Sequence, residues 1–354
     1  MPIEDWRFID LDLIQIERLH GIEEAIARSR RSKPTVLFWR ADRPVITLGY
    51  FQKVEEEINL AKCKELGIGV VRRITGGGAI LIGPETPAYS VIVKEDNPVV
   101  PKEIEKSYEV ICEGLVRGIK KFGLPVYFAP INDVQIENRK LSGSAQTRIW
   151  GKIVQHGFLN LNLDIQTLLE VLNVPKEKLQ DKGVSSLEER VTWVNKELNR
   201  FEKPPTTVEN LKSCLKEGFK EALNVNLVDG KLTKTEKKNA EVYAKKFFMD
   251  DWNYRPDLFK VANARAVYKA KKGVVKVSAY VENNIIKDIL ITGDFFVYPE
   301  EKFLGFSQSL VGVSVDRESL TNAVNKFFEE NKLNPVGITT NDFIEAIFQT
   351  VGKT

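Results

Sequence analysis

Apolar positions recur along this chain with two different periods, and the first half switches between them. WRFID, TVLFWR and PVITLGYF read as strands, while helical spacing runs over about residues 12–30 and 56–66. GVVRR and AYSVIV read as further strands, with the glycine turn Gly76-Gly77-Gly78 between them. A helix over about 102–122 precedes DVQIENRKLSGSAQ, which has the form of a hairpin turning at Glu137-Asn138, and WGKIVQHGFLNLNLD continues as sheet. Residues 164 to 247 read as helices joined by loops, clearest over Gln166 to Leu172 and Val208 to Ala222, with the prolines of EKPPTT breaking any continuous helix. Beyond FFMDDWNYRPDLF the period changes to strict alternation, in three runs separated by Lys-Lys-Gly and Glu-Asn-Asn turns. That pattern predicts a small antiparallel meander, which helices over about 316–331 and 340–351 would cover on one face. The expected class is therefore α+β, with residues 1–247 forming a larger domain of mixed sheets and helices and 256–354 a smaller α+β domain.

Composition narrows the function. With 354 residues, 43% apolar and 29% charged, the chain can bury a sizeable core, which excludes a disordered tail. Polar residues interrupt every apolar run well short of the ~18 a membrane helix needs, so no membrane role is expected. The acid-rich start MPIEDWRFIDLDLIQIER has no basic leader or small-residue cleavage site, which points to the cytoplasm. A formal charge of +3 is too small for a dedicated nucleic-acid binder. The three cysteines, Cys63, Cys112 and Cys214, are widely separated, and the only histidines are His20 and His156. These build neither a zinc site nor a disulfide framework, and each cysteine lies in a helix-like pattern where a small buried residue fits. A Cys/His nucleophile pair is the thiol chemistry left open.

Two constellations carry chemistry. In Arg72-Arg73-Ile74-Thr75-Gly76-Gly77-Gly78-Ala79, two guanidinium groups precede a loop with no side-chain obstruction over three positions, so backbone amides can approach an anion. A tight strand-to-strand turn flanked by solvated arginines gives the same pattern. Neither G-x-G-x-x-G nor G-x-x-x-x-G-K-[ST] describes this loop, which removes the main support for nicotinamide or kinase readings. The second constellation is Asn132-Asp133 followed by Arg139-Lys140-Leu141-Ser142-Gly143-Ser144-Ala145-Gln146. A lysine at a hairpin exit beside small residues suits an acyl phosphate, its ammonium lying between carbonyl and phosphate oxygens, and Asp133 could serve a metal or orient an amine and accept its proton. Surface charges at a hairpin are the plainer alternative. His156 beside Gly157 on an apolar strand fits a satisfied core histidine as well as a ligand contact.

Taken together and in order, RRITGGGA, ND, RKLSGSAQ and QHGFLNLNLD resemble the lipoate-protein ligase A family, within the biotin/lipoate cofactor transferase superfamily. WRFID, the helix with Glu23-Glu24-Ala25, FWR, TLGYFQ and VRR fit its catalytic domain, and DDWNYRP and TGDFF look like its C-terminal accessory domain. The lysine element is lipoate-type, which makes biotin the weaker reading. The resemblance implies an ATP-dependent, Mg²⁺-assisted activation of lipoate to lipoyl-AMP, followed by transfer to a lysine of an acceptor: the lipoyl domains of 2-oxoacid dehydrogenase complexes or the glycine-cleavage H protein. Lys140 and Asp133 would be catalytic. Arg72, Thr75, Gly76, Gly77, Gly78 and Ala79 would cradle the lipoyl carboxyl and adenylate linkage, with Ser144 and Ala145 touching the phosphate. Trp39, Leu48, Gly49, Tyr50, His156 and Gly157 would line the lipoyl tail, and no metal ligand is assigned. A monomer is the default expectation.

One departure and two rivals follow from the same residues. Ile82 and Gly83 stand where family members commonly have His-Asp, and Pro84 and Pro87 stiffen LIGPETP, although Tyr89-Ser90 is retained. An octanoyl or lipoyl transferase of the same fold would use a cysteine thioester instead of ATP, and relatives of that kind place the cysteine shortly before the lysine motif. Here PVYFAPINDVQIENRK has none. A non-catalytic cofactor-binding scaffold is the other rival, and it would have no reason to keep Lys140, Asp133 and Arg72 together.

Overall fold

The computed structural model describes residues 3–173, 187–255 and 261–352. Parts of three expectations lie outside the described residues: the first two positions of the N-terminal segment, 174–186 of the helical stretch, and 256–260 with 353–354 of the second domain. The chain is α+β and divides into two compact units. The first comprises Met1–Thr47, Ile58–Val71 and Ile80–Asn253, the second Leu48–Glu57, Arg72–Ala79 and Tyr254–Thr354. The glycine run thus belongs to the second unit, with the residues nearer the C-terminus.

In the first unit the strands are β1 (Glu4–Ile14), β2 (Thr35–Ala41), β3 (Val45–Leu48), β4 (Gly69–Arg72), β5 (Ile80–Ile82), β6 (Ala88–Lys94), β7 (Tyr127–Ala129), β8 (Asp133–Ile136), β9 (Arg139–Ile149), β10 (Lys152–Leu159) and β11 (Val225–Asp229), although Leu48 and Arg72 themselves fall in the second unit. Eight of them form one sheet in the order β11-β1-β2-β6-β10-β9-β8-β7. The β1 pairings with β11 and β2 are parallel and the rest antiparallel, so the sheet is mixed. A small sheet, β4-β3-β5, stands apart.

Each face of the large sheet is covered for a reason written in the helices. The helix Ile104–Lys120 turns Ile111, Cys112, Leu115, Val116 and Ile119 into one core with Phe38, Tyr89 and Val91 of the sheet and Leu211, Leu215 and Phe219 of the helix Val208–Leu223. The helix Ile16–Arg28 is different: it buries Glu17, His20, Glu23 and Glu24 as well as its apolar residues. A second helix, Lys234–Phe247, packs on it, with the Phe247 ring 5.1 Å from that of His20. The outer helix is tied down through Glu236, which completes a capping box with Thr233 and also takes both Nη atoms of Arg7 at 2.7 and 2.8 Å.

In the second unit, β12 (Ala264–Lys269), β13 (Val274–Glu282) and β14 (Ile285–Asp294) form the expected antiparallel meander, with Gly273 and the pair Asn283-Asn284 at positive φ in its turns. The helices Arg317–Asn331 and Thr340–Val351 accompany it, and β15 (Phe296–Tyr298) pairs with β16 (Asn334–Val336). Phe295, Phe303, Phe306, Phe328 and Phe343 pack together at the centre, and Phe51 stacks on Phe295 at 4.8 Å. Among the described residues no helix is long and apolar enough to cross a membrane.

Candidate active site

Residues directly opposite one another in a ladder share a face of the sheet. One such row runs Asp133, Gly143, Phe158, Ala88, Trp39 across β8, β9, β10, β6 and β2, and the adjacent row on the same face is Ala145, His156, Ser90, Leu37. Gly143, Ala145 and Ala88 are small residues in a strip that runs from Asp133 to Trp39 and His156, and Phe158 stands between Gly143 and Ala88 with its ring 3.4 Å from a Cβ built on Gly143.

Lys140 reaches this face through a bulge. Val134 pairs with Ser142 but Gln135 pairs with Lys140, so Leu141 is an extra residue, fully buried in the core on the opposite face. A bulge re-aims the side chain next to it. The Lys140 ammonium consequently stands 2.7 Å from Asp133 Oδ1, an ion-pair distance that lacks the alignment of a directed hydrogen bond. It lies across Gly143, where a Cβ would come within 2.6 Å of Nζ. The turn that starts β9 uses Glu137 and Asn138, both at positive φ. From the far side, Thr192 N–H donates to the Lys140 carbonyl at 2.9 Å.

The other end of the strip is a buried polar chain. Trp39 Nε1 donates to Ser90 Oγ at 2.9 Å, and Ser90 Oγ to Glu23 Oε1 at 2.6 Å. His156 Nδ1 lies 3.0 Å from Oε1 and His20 Nδ1 2.8 Å from Oε2. Burial alone would raise the Glu23 carboxyl, but the charge and hydrogen bond of His156 and the bond from His20 outweigh it and hold the group well below the usual carboxylate range. Among the described residues this is the one group of three His, Cys, Asp or Glu ligands whose atoms lie within 4.8 Å of one another. Its contacts are hydrogen-bond lengths, so protons account for it, and its imidazole nitrogens do not suit magnesium.

The predicted residues separate by face and by unit. Lys140, Asp133, Ala145 and His156 share the face just described. Ser144 and Gly157 belong to the row on the opposite face, with Tyr89 and Phe38. There the Ser144 hydroxyl is 2.9 Å from Tyr89 Oη and 3.5 Å from Cys112 Sγ, while its backbone N–H and C=O are both bound by Asn132. A Cβ on Gly157 would meet Tyr89 at 2.6 Å, so this glycine makes room for packing. The alternation of R-K-L-S-G-S-A-Q already separates Ser144 from Gly143 and Ala145, and the i, i+3 spacing of His20 and Glu23 was the signal for the buried cluster.

Arg72 and Thr75–Ala79 belong to the second unit. Arg72 Nη1 donates to the carbonyls of Gly49, Tyr50 and Gln52 at 2.9, 3.3 and 2.7 Å, and burial brings its pKa down to about 9. It braces the TLGYFQ segment from inside. Arg255 lies 4.2 Å over the Tyr50 ring and donates to the Tyr50 carbonyl. Thr75 is buried, accepting from Arg73 Nε through its hydroxyl. In the first unit the LIGPETP departure is pinned, since Arg40 Nη1 donates to the Pro84 carbonyl at 2.9 Å and Leu159 N–H to that of Pro87 at 2.8 Å.

Comparison with known proteins identifies the family and the fold. Residues 17–220 match the family profile described as Lipoyl protein ligase A/B catalytic domain, and residues 262–347 the profile described as Bacterial lipoate protein ligase C-terminus. The profile match and the fold define an enzyme of the lipoate ligase and transferase fold. The chain belongs to the lipoyl protein ligase A/B family. It is similar to the octanoyltransferase LipM of Kyrpidia tusciae, 35% identical over 278 residues that cover 72% of this chain and 100% of the relative. A bi-partite lipoate protein ligase from the lipoylation system of Thermoplasma acidophilum, solved in a study with its E2 lipoyl domain, is 29% identical with a TM-score of 0.62, over 73% of this chain and 99% of that one. A lipoate-protein ligase A bound with ATP is 25% identical with a TM-score of 0.60, over 71% of this chain and 98% of its own.

Proposed function

We propose that the chain is an ATP-dependent lipoate-protein ligase. In the first half-reaction the lipoate carboxylate attacks the α-phosphorus of ATP, forming lipoyl-AMP as pyrophosphate leaves. In the second the ε-amine of an acceptor lysine attacks the acyl carbon, an amide forms, AMP leaves, and a proton is lost from the amine. Lys140 would neutralise charge on the carboxyl and α-phosphate oxygens in both steps, and Asp133, 2.7 Å from it, would hold the incoming amine and take its proton. The acyl tail would run along the strip of Gly143, Ala145 and Ala88 towards Trp39 and His156, with water excluded. The glycine run, with Thr75 and Ala79, keeps the anion-contacting role the resemblance implies, while Arg72 acts as the brace that shapes the segment beside it. Magnesium would arrive on the nucleotide phosphates, and Asp133 is a carboxylate it could share.

The observation that carries this reading is the lack of a usable thiol. Tyr127–Lys140 contains no cysteine. Cys112 lies on the opposite face and burial pushes it up to about 11, and burial also raises Cys63 and Cys214. A C-terminal ligase profile in the same chain, and neighbours whose names include ligase, ATP and an E2 lipoyl domain, support it and the acceptor class of lipoyl domains or H protein. The second reading, octanoyl transfer, is favoured by the name of the similar Kyrpidia tusciae enzyme.

Exchange of labelled pyrophosphate into ATP decides between them. Exchange that needs lipoate or octanoate, and that disappears in Lys140→Ala, supports the ligase. No exchange with either acid, together with acyl transfer from an octanoyl carrier protein to a lipoyl domain, would move the assignment to the transferase.

A further inference from the structure

The backbone of Lys140 is gripped from the face its ammonium does not use. Arg139 pairs across the ladder with the core residue Ile136, so its guanidinium leaves on the far side of the sheet from the Lys140 ammonium. There Arg139 Nη2 donates to Glu197 Oε2 at 3.1 Å. The same oxygen accepts from Arg200 Nε at 2.8 Å, while Oε1 accepts from the Thr192 hydroxyl. Thr192 in turn gives its backbone N–H to the Lys140 carbonyl at 2.9 Å, and Val191 forms a parallel bridge to Lys140. Glu197 and Thr192 are both fully buried. Glu197 sits on the short helix Val194–Arg200, which is anchored where Val194 N–H donates to the Asn160 carbonyl at 2.8 Å. Arg200 also reaches Glu137, in the hairpin turn, at 2.8 Å. Asp133 is held in the same manner through its own neighbour: Ser144 N–H donates to the Asn132 carbonyl at 2.9 Å and Asn132 Nδ2 to the Ser144 carbonyl at 2.7 Å.

We propose that Glu197 is a positioning residue for Lys140, a buried carboxylate that clamps Arg139 and Thr192 and so fixes the backbone from which the catalytic ammonium projects. This rests on the reading that Lys140 acts on the acyl group. The bulge is what makes such a clamp necessary. If the extra residue were Lys140 instead of Leu141, Lys140 would lose its pairing with Gln135 and with it the face it shares with Asp133. Glu197 binds the residue on the turn side of Lys140 and, through Thr192, the Lys140 carbonyl itself, which are the two places where that shift would begin. Stability alone is a weak reason for this arrangement. The cost of removing a carboxylate and guanidinium from water largely offsets their attraction, and an apolar contact of equal size would hold the helix as well. Directional bonds to one carboxylate do what an apolar contact cannot: they set the relative position of two separate segments of chain.

The test uses Glu197→Gln, Thr192→Val and Thr192→Ser in the full-length chain, with two readouts. The first needs no turnover: the rate at which acetic anhydride acetylates Lys140, followed by mass spectrometry of its peptide. Released from Asp133, the Lys140 amine should react several-fold faster in Glu197→Gln and Thr192→Val, and at the parent rate in Thr192→Ser, which keeps the hydroxyl. The second is lipoate-dependent pyrophosphate exchange, which should fall at least about tenfold in Glu197→Gln and Thr192→Val and be retained in Thr192→Ser. In a Lys140→Ala background, Glu197→Gln should cost less than about twofold more, because the group it positions is gone. A folded Glu197→Gln with parental acetylation and exchange overturns the proposal. So does an equal tenfold loss in the Lys140→Ala background, or a Thr192→Val that matches Thr192→Ser in both readouts. If Glu197→Gln does not fold, the Thr192 pair carries the same comparison. If the parent shows no exchange with any acid, the ligase reading fails by itself. Acetylation of Lys140 and octanoyl transfer are then compared across the same variants, where parallel changes support the clamp and parental values remove it.

Discussion

Lys140 meets Asp133 at 2.7 Å because β9 carries one more residue than β8 across their pairing, and that residue, Leu141, is buried on the other side of the sheet. The apolar side chain and the ammonium are thus fixed by one backbone irregularity. Replacing Lys140 removes the charge without touching the core, since the side chain is a quarter exposed. Lys140→Ala is expected to lower the adenylation rate by ~10²–10³ and to leave the unfolding midpoint close to that of the parent. Pyrophosphate exchange and urea denaturation of the same preparation check both halves.

Gly143 is the floor on which that ammonium rests. A methyl group there comes within 2.6 Å of Nζ, so Gly143→Ala must push the lysine off its position beside Asp133. We expect at least a tenfold loss of exchange, about 1.4 kcal/mol of transition-state stabilisation. A double-mutant cycle isolates the cause: in a Lys140→Ala background, adding Gly143→Ala should cost little more, whereas a full additional tenfold loss would mean that the glycine serves something other than the lysine.

The sequence made these elements legible unevenly, for physical reasons. The hairpin turning at Glu137-Asn138, the three-strand meander and the helices after it follow from local periodicity and turn chemistry, and all are present. The motif order also identified the family. What local pattern does not encode is the bulge at Leu141, which sets the face Lys140 takes against the parity of its neighbours. Nor does it encode the burial of Glu23: its acid-rich helix looks amphipathic until Lys234–Phe247 covers the outer side. The packing of Gly76–Gly78 against Asp294–Phe296 joins residues far apart in the chain, and the composition of a glycine run does not reveal what its Cα atoms touch.

Glu23 offers a stability test of the buried chain. Its two oxygens take hydrogen bonds from Ser90, His156 and His20 in a place water does not reach. In Glu23→Gln an amide NH₂ must face one of these donors, and the carboxylate charge that the buried site is built around is lost. We expect a loss of roughly 3 kcal/mol. A loss below ~1 kcal/mol in urea denaturation would show that the cluster readily repacks around an amide.

Asp316 caps the helix Arg317–Asn331 by accepting from Ser319 N–H at 2.8 Å, and hydrogen bonds from that amide and from the Ser314 and Ser319 side chains hold its pKa down to about 2. A carboxylate whose folded value is depressed stabilises the fold above its unfolded value, near 4, and that contribution fades as pH falls towards 2. Asp316→Ala should therefore melt below the parent at pH 7, with the gap narrowing between pH 4 and pH 3. A gap independent of pH in calorimetry would mean that the cap acts by shape alone.

Cys112 decides how much weight the thiol argument bears. Its Sγ is 3.5 Å from Ser144 Oγ on the strand that carries Lys140, yet it is fully buried on the opposite face and burial pushes its pKa up to about 11. At neutral pH only ~1 in 10⁴ such thiols is ionised, and the thiolate is the nucleophile. Cys112→Ala should keep the exchange rate within about twofold while costing ~1 kcal/mol of packing. The raised pKa has a second consequence. The folded state favours the thiol, so its contribution is complete below the unfolded value near 9 and is lost as pH rises towards 11. The parent should lose stability over that interval more steeply than the alanine variant. If the variant instead lost acyl transfer completely while remaining folded, Cys112 would be an acyl carrier and the chain a thioester enzyme.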